Sequence, residues 1–445
     1  MLKRILIVLG VLALLVFGVL FFSGKEAEIK LAKPAPAMGA ATSISAEVDD
    51  PAGVKAFTAA VEQGNNSQLV YEDSTASPQP SRIYTFSAGK KLAPFLQEGP
   101  AKLLLTAKSN DFRGAATTLT LDIQVVLKPP TIATDGLQHY INQGGAELVV
   151  LDLGGNWTEA GVKVANYSVD SFPMPGQPDH SNHRFSLFPF SWDVSPDTIP
   201  LAFARNSAGT EATSPFSVKL FPKKFRSSDI NVTDENLRKV VADLDPDGSG
   251  SLAERFVKLN RELRRANTQQ IYELRTHTEK QILWSGPFVP VKGTRESFFA
   301  DRRSYFYKGK KIDEQVHLGY DLAQTAHTPV KAANSGKVIY ADRLGIYGNC
   351  VIIDHGYSLQ SLYGHMSRIL VKVGDTVTKQ QQIGISGSTG MAFGDHVHFS
   401  MLIGGYQVDP KEWWDEHWIH DRILSKIGSS TPREPAQSAK KHPRR

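Results

Sequence analysis

Eight of the chain's 13 histidines fall between residues 317 and 420, where an even scatter would leave about three, and imidazoles gathered in this way serve metal or acid–base chemistry. The tightest pair is His396-Val397-His398-Phe399. On a strand, side chains at i and i+2 share a face, so the two imidazoles stand side by side while Val397 and Phe399 turn to the core. Alone, such a pair also fits two surface histidines. A second element is His317-Leu318-Gly319-Tyr320-Asp321. Gly319 and its turn-rich surroundings favour an extended or looped segment over a helix, and both histidine and aspartate ligate zinc well. The third is Tyr363-Gly364-His365-Met366, where Gly364 lets backbone approach a site closely. Together these segments offer His317, Asp321 and His398 as three ligands. The fourth tetrahedral position is then left to water, the pattern of a catalytic zinc. His365 and His396 remain as uncoordinated imidazoles. One would move the proton of the attacking water and the other would stabilise an oxyanion. The residues do not say which does which.

A different set of carboxylates lies upstream. Asp243-x-Asp245-x-Asp247-Gly248, followed by Glu254, fits the spacing of a calcium loop between two helices, and three aspartates with a glutamate are the hard oxygen ligands Ca2+ takes. Gly250 and Pro246 depart from that pattern. The same residues also read as a solvated acidic turn between helices.

The elements that must position these groups are mostly strands. Residues 41–130 and 131–225 show short runs rich in Val, Thr, Leu and aromatic residues, split by turn residues, without strong helical periodicity. The ends of the two stretches echo each other, with Gly114 and Gly209 at matching places, which suits tandem β-sandwiches. In architecture they resemble bacterial immunoglobulin-like domains, and they read as spacers. Residues 226–282 change to helical spacing of Leu, Val and Phe among many charges and form a helical segment placed to cover the domain after it. Residues 283–420 return to strand patterning with many glycine turns, as an antiparallel β-sheet domain that carries the histidines. The expected fold class is therefore a mainly β, multidomain chain.

Met1–Arg4 is basic, and Ile5–Phe22 holds no polar side chain. Eighteen helical residues span ~27 Å, near the thickness of a bilayer's hydrocarbon core. With the positive flank first and no A-x-A cleavage site after Phe22, residues 1–24 read as an uncleaved signal anchor in the inner membrane. Everything after them would then lie on the periplasmic, extracytoplasmic side. Residues 25–40, Pro-containing and polar, read as a linker, and residues 421–445 as a basic tail. The net charge of +5 sits at the ends of the chain, and residues 5–427 sum to −1, so a nucleic-acid-binding face is excluded. A single cysteine, Cys350, excludes internal disulfides and Cys-rich zinc modules.

Taken together, these motifs resemble the lysostaphin/LytM-type zinc endopeptidases of peptidase family M23, over about residues 283–420. His317-x3-Asp321 is similar to the family's H-x3-D. Tyr363-Gly-His365-Met366 is similar to its Y-[AG]-H-[LM]. Gly384, Gly387, Ser388-Thr389-Gly390 and His396-Val-His398-Phe are similar to its closing motif. The resemblance implies one Zn2+ on His317, Asp321 and His398, a catalytic pair in His365 and His396, and a groove on an antiparallel sheet. It also implies that the chain hydrolyses peptide cross-links of peptidoglycan. Family members without these ligands activate other wall hydrolases, so a non-catalytic scaffold or activator is the alternative, and here no member of the set is missing. Arg303, Tyr305 and Tyr307, just upstream of His317, are candidates to line the groove.

Overall fold

The computed structural model describes residues 26–34, 37–323 and 325–428. The apolar run Ile5–Phe22, read as a membrane anchor, lies outside the described residues. Among the described residues no helix is long and apolar enough to cross a membrane. The chain is mainly β and divides into two compact units.

The first unit, centred on residues up to 131, holds a three-stranded and a five-stranded sheet. Its strands follow a period of two. Ile44, Ala46 and Val48 point inward from Thr42–Asp49, and Leu103, Leu105 and Ala107 from Gly99–Ser109. Phe57 of the larger sheet stacks on Tyr84 of the smaller at 4.3 Å between ring centroids, so the two sheets share one buried cluster. Residues 25–40 are not a free linker. Glu28–Leu31 pairs antiparallel with Thr42–Asp49, and Ala37–Met38 pairs with Ala116–Val125. Ile29 and Met38 are buried, which is what an apolar side chain placed between two open sheet edges gains by pairing.

The second unit contains the histidine-rich region and most of residues 132–225. The strands Ala146–Gly154 and His183–Pro189 pair antiparallel, and their inward residues Leu148, Val150, Phe185 and Leu187 belong to the same buried cluster as Tyr357, Met401 and Trp413. Phe185 meets Tyr357 edge-on at 4.9 Å. This stretch, read as a spacer, therefore shares a core with the downstream domain. Polar ties cross the same boundary. Glu412 accepts from Asn142 Nδ2 at 2.7 Å and from the Ala146 amide at 2.9 Å, and Lys426 Nζ meets buried Glu147 at 2.7 Å. The basic tail begins later than the sequence suggests, because Ile423, Leu424 and Ile427 are buried in helical turns of that core.

The segment 226–282 opens with a strand, Ser227–Val232, paired parallel to Asp301–Tyr307, and only then turns helical. Its helices Asp234–Leu244 and Leu252–Lys258 flank the acidic loop. Those acids have other partners, and the calcium reading is not supported. Asp243 pairs with Arg343 at 2.7 Å and accepts from the Gly390 amide. Asp245 pairs with Arg255 at 2.9 Å. Glu254 folds back on Ser251 in a capping box that closes the helix N-terminus. Asp247 is exposed, and these carboxylates form no ligand group among the described residues.

Candidate metal centre

A long sheet of the second unit has the strand order Thr294–Ser297, Tyr320–Ala323, His396–Ile403, Leu359–Met366, Asn349–Asp354, Gly336–Arg343 and Thr376–Val377. Its register writes the site. Asp321 lies opposite His398, and His398 opposite Gly364 on the other side. His317 ends the neighbouring strand Lys310–His317. Two glycines make the crowding possible. A Cβ on Gly319 would come 2.6 Å from His398 Nε2, and one on Gly364 would come 3.2 Å from the Tyr347 carbonyl.

His317, Asp321 and His398 converge, all buried. His317 Nε2 is 2.9 Å from Asp321 Oδ1 and 2.9 Å from His398 Nδ1, and His398 Nδ1 is 3.1 Å from Asp321 Oδ1. The outer nitrogens assign the protons. His317 Nδ1 faces the Phe298 carbonyl at 3.1 Å, so it carries the hydrogen. Ser400 Oγ donates to the Leu318 carbonyl at 2.7 Å, so it accepts from His398 Nε2 at 2.9 Å. Two bare imidazole lone pairs and a carboxylate oxygen therefore face one point with no proton among them. Three acceptors in mutual contact repel unless a cation stands between them. Zinc bonds of ~2.0–2.2 Å place tetrahedral ligand atoms ~3.3–3.5 Å apart, only a few tenths of an ångström beyond the observed spacing. The donor set fits zinc.

Electrostatics agree with that assignment. Burial lowers His317 and brings His398 down to about 4, keeping both neutral. Burial alone would raise Asp321, but the cluster of histidines around it outweighs burial and holds it well below the usual carboxylate range. Neutral imidazoles and an ionised carboxylate are the protonation states a metal requires. Arg303, on Asp301–Tyr307, donates to Asp321 Oδ2 at 2.6 Å and so leaves Oδ1 facing the two histidines. No spacing in the sequence marks this contact, although Arg303 lies in the stretch expected to line the groove.

The other two histidines flank the cluster, their rings 4.7 Å apart. His365 donates from Nδ1 to the Thr389 carbonyl at 2.8 Å, which leaves Nε2 bare, and its backbone sits at φ +63°. A non-glycine residue in that region stores strain that the surrounding fold must offset. Burial, with His396 and His398 nearby, pushes His365 well below its ordinary value. His396 has its Nε2 3.5 Å from Asp321 Oδ1. Burial pulls its pKa down, but Asp321 outweighs this and raises it. All five residues line one cavity of about 280 Å3, with Arg303 and Tyr305 on one wall and Arg264 from the helical segment on another.

The remaining histidines stand apart. His355 is buried with both nitrogens bonded, to the Ser335 carbonyl and to Ser361 Oγ. His327, His417 and His420 are exposed. Trp413 packs against Trp284 and Phe288 in the core. Cys350 is buried, and burial pushes its thiol far above the reactive range.

Residues 315–410 match the model of peptidase family M23. The peptidoglycan DD-endopeptidase ShyA of Vibrio cholerae is 39% identical over 93 residues, covering 21% of this chain and 22% of that protein. The DD-carboxypeptidase/endopeptidase Mpg of Neisseria meningitidis is 38% identical over 96 residues, 22% of each chain. The chain thus spans only about a fifth of the length of these curated relatives. Among solved structures, the catalytic domain of the prophage-encoded M23 protein EnpA from Enterococcus faecalis is 34% identical, with 28% of this chain and 92% of that one covered and a TM-score of 0.23. A putative peptidase M23 from Pseudomonas aeruginosa covers 60% of this chain and 92% of its own, at 21% identity and a TM-score of 0.36.

Proposed function

We propose that this chain, which carries a peptidase family M23 domain at its C-terminus, is a zinc-dependent endopeptidase that hydrolyses peptide cross-links of peptidoglycan. The observation that supports it best is the convergence of three unprotonated acceptors, His317 Nε2, His398 Nδ1 and Asp321 Oδ1, within 3.1 Å of one another. The relatives named as peptidoglycan DD-endopeptidases support the substrate class.

Zinc, when held by His317, Asp321 and His398, supplies a Lewis acid for water and for a carbonyl oxygen. The chain's own residues do the rest. Arg303 fixes one Asp321 oxygen and leaves the other to the ion. His365, held neutral with Nε2 bare, takes the proton of the attacking water and returns it to the leaving amine. His396, whose charged form Asp321 favours, offers an N–H to the negative oxygen that develops on the carbonyl. The burial of these groups strengthens each of those interactions.

In the same reading, residues 1–24 anchor the chain in the inner membrane and place the peptidase on the periplasmic side, where the wall is. The basic flank before Ile5–Phe22 supports this orientation. No observation in the site favours the non-catalytic activator, since all five functional side chains are present.

The test is mass analysis of muropeptides incubated with the purified protein. Loss of cross-linked dimers, abolished by a chelator and by His398→Ala and restored to the wild type by zinc, supports the reading. Intact cross-links under all conditions would refute it.

A further inference from the structure

The cavity holds a cation that the metal chemistry leaves unused. Arg264 reaches its wall from the helix Arg264–Glu273, in a part of the chain that the family match does not include. A π-helical turn, Leu259–Leu263, comes immediately before it. Such bulges are frequent at functional sites because they re-aim the side chains around them. Here the bulge carries Asn260, which is fully buried and donates from Nδ2 to Asp313 at 2.8 Å. Arg264 in turn donates to Asn260 twice, from Nη2 to Oδ1 at 2.9 Å and from Nε to the carbonyl at 3.3 Å. The guanidinium is therefore fixed by two bonds to a residue that is itself anchored.

What it lacks is a carboxylate. Four other arginines of this unit each have one: Arg255 has Asp245, Arg261 has Asp313, Arg303 has Asp321 and Arg343 has Asp243. Arg264 forms no ion pair among the described residues, although Glu296 and Asp395 line the same cavity. Its Nη1 has no hydrogen-bond partner there either. Nη2 also meets Met391 Sδ, a weak acceptor, at 3.9 Å, so the Nη1 side of this preorganised guanidinium is what remains to receive an anionic oxygen.

We propose that Arg264 binds a carboxylate of the substrate peptide next to the amide that is cut, which makes it a specificity-determining residue. This rests on the endopeptidase reading. Arg264 lines the same cavity as His317, Asp321, His365, His396 and His398, so a group that meets it belongs to a residue near the metal centre. The substrate class is accordingly an anionic peptide with a free carboxylate flanking its scissile amide, and a peptide amidated at that position is discriminated against.

The experiment uses the full chain, zinc-loaded and carrying His396→Ala to prevent turnover. Titration calorimetry measures binding of a synthetic cross-linked stem peptide with that carboxylate free, and of its carboxamide twin. With Arg264 present, the free acid binds about 10-fold more tightly or better, as a charge-assisted pair should. With Arg264→Gln the preference disappears and amide binding is unchanged, while Arg264→Lys keeps part of it. Equal preference with Arg or Gln at 264, or none with either, overturns the proposal. Turnover by the wild type is scored separately. Carboxylate preference without cleavage would leave Arg264 as an anion site and remove the endopeptidase.

Discussion

Arg303 and Asp321 are joined at 2.6 Å, and that bond divides one carboxylate between two tasks: Oδ2 answers the guanidinium, and Oδ1 faces His317 and His398. A cation beside a metal site carries a repulsive cost. Its offsetting gain is orientation, because Asp321 is kept from turning both oxygens to the ion. Arg303→Gln is therefore expected to lower zinc affinity about 10–100-fold, the usual cost of losing a partner that orients a ligand. Competition with a chromogenic chelator reads it directly, and an unchanged affinity would assign Arg303 to packing alone.

The flanking histidines should separate from the ligands in a metal assay. Asp321→Ala and His398→Ala lose zinc. His365→Ala and His396→Ala keep it, yet lower kcat about 10²–10⁴-fold, the range for one acid–base group. Metal content per chain, measured beside muropeptide cleavage, distinguishes the two classes.

Glu412 predicts a pH dependence of stability. Burial, against the hydrogen bonds from Asn142 and Ala146, pushes its carboxyl from the ordinary 4.5 up to about 7. A raised folded-state pKa means the folded chain keeps the proton after the unfolded chain has released it. The contribution is present in full below pH 4.5 and is lost as pH rises to about 7. The loss amounts to about 3 kcal/mol at 1.36 kcal/mol per unit. Denaturant midpoints at pH 5 and pH 8 should converge in Glu412→Gln relative to wild type, and parallel slopes would contradict the shift.

Lys426 is the counter-charge for Glu147, which is fully buried, and it also bonds the Leu148 carbonyl. Lys426→Met strands that carboxylate and should cost about 3–5 kcal/mol. Adding Glu147→Gln should recover part of the loss, because the stranded charge goes with it. Thermal melts of the single and double variants test the pair.

Millimolar calcium is expected to leave the melting temperature unchanged. A ligand bound by the folded state alone would raise it. A rise lost in Asp245→Asn would reinstate a site at the acidic loop.

Each half of the metal cluster was legible because its signal is local, and the resemblance to family M23 joined the halves across some 80 residues. His396 and His398 share a strand face, and four residues with Gly319 between them set the reach from His317 to Asp321. The same local logic misled at Glu254. Its spacing to Ser251 is also that of a capping box, and the short-range bond to the helix terminus won over an ion. Arg255 and Arg343 claimed the neighbouring aspartates from 10 and 100 residues away. Nothing in sequence order marks such partners. The orienting bond of Arg303, the shared core of residues 146–189 with the downstream sheet, and the buried ends of the supposed linker and tail were hidden for the same reason. Each depends on which surfaces the chain brings together, and a period of two or 3.6 records only which face is apolar.

Ser227–Val232 runs parallel to Asp301–Tyr307, and Ser228 Oγ also holds both oxygens of Asp301 at 2.9 Å. The strand that carries Arg303 is the central one of its three-stranded sheet only because a segment some seventy residues earlier fills the outer place. Cutting the gene at residue 283, where the peptidase-like stretch begins, would bare a row of amides and carbonyls beside the metal pocket and invite another chain to fill it. The metal pocket is thus not a portable cassette: the fold that encloses it begins upstream of the motif that identifies it.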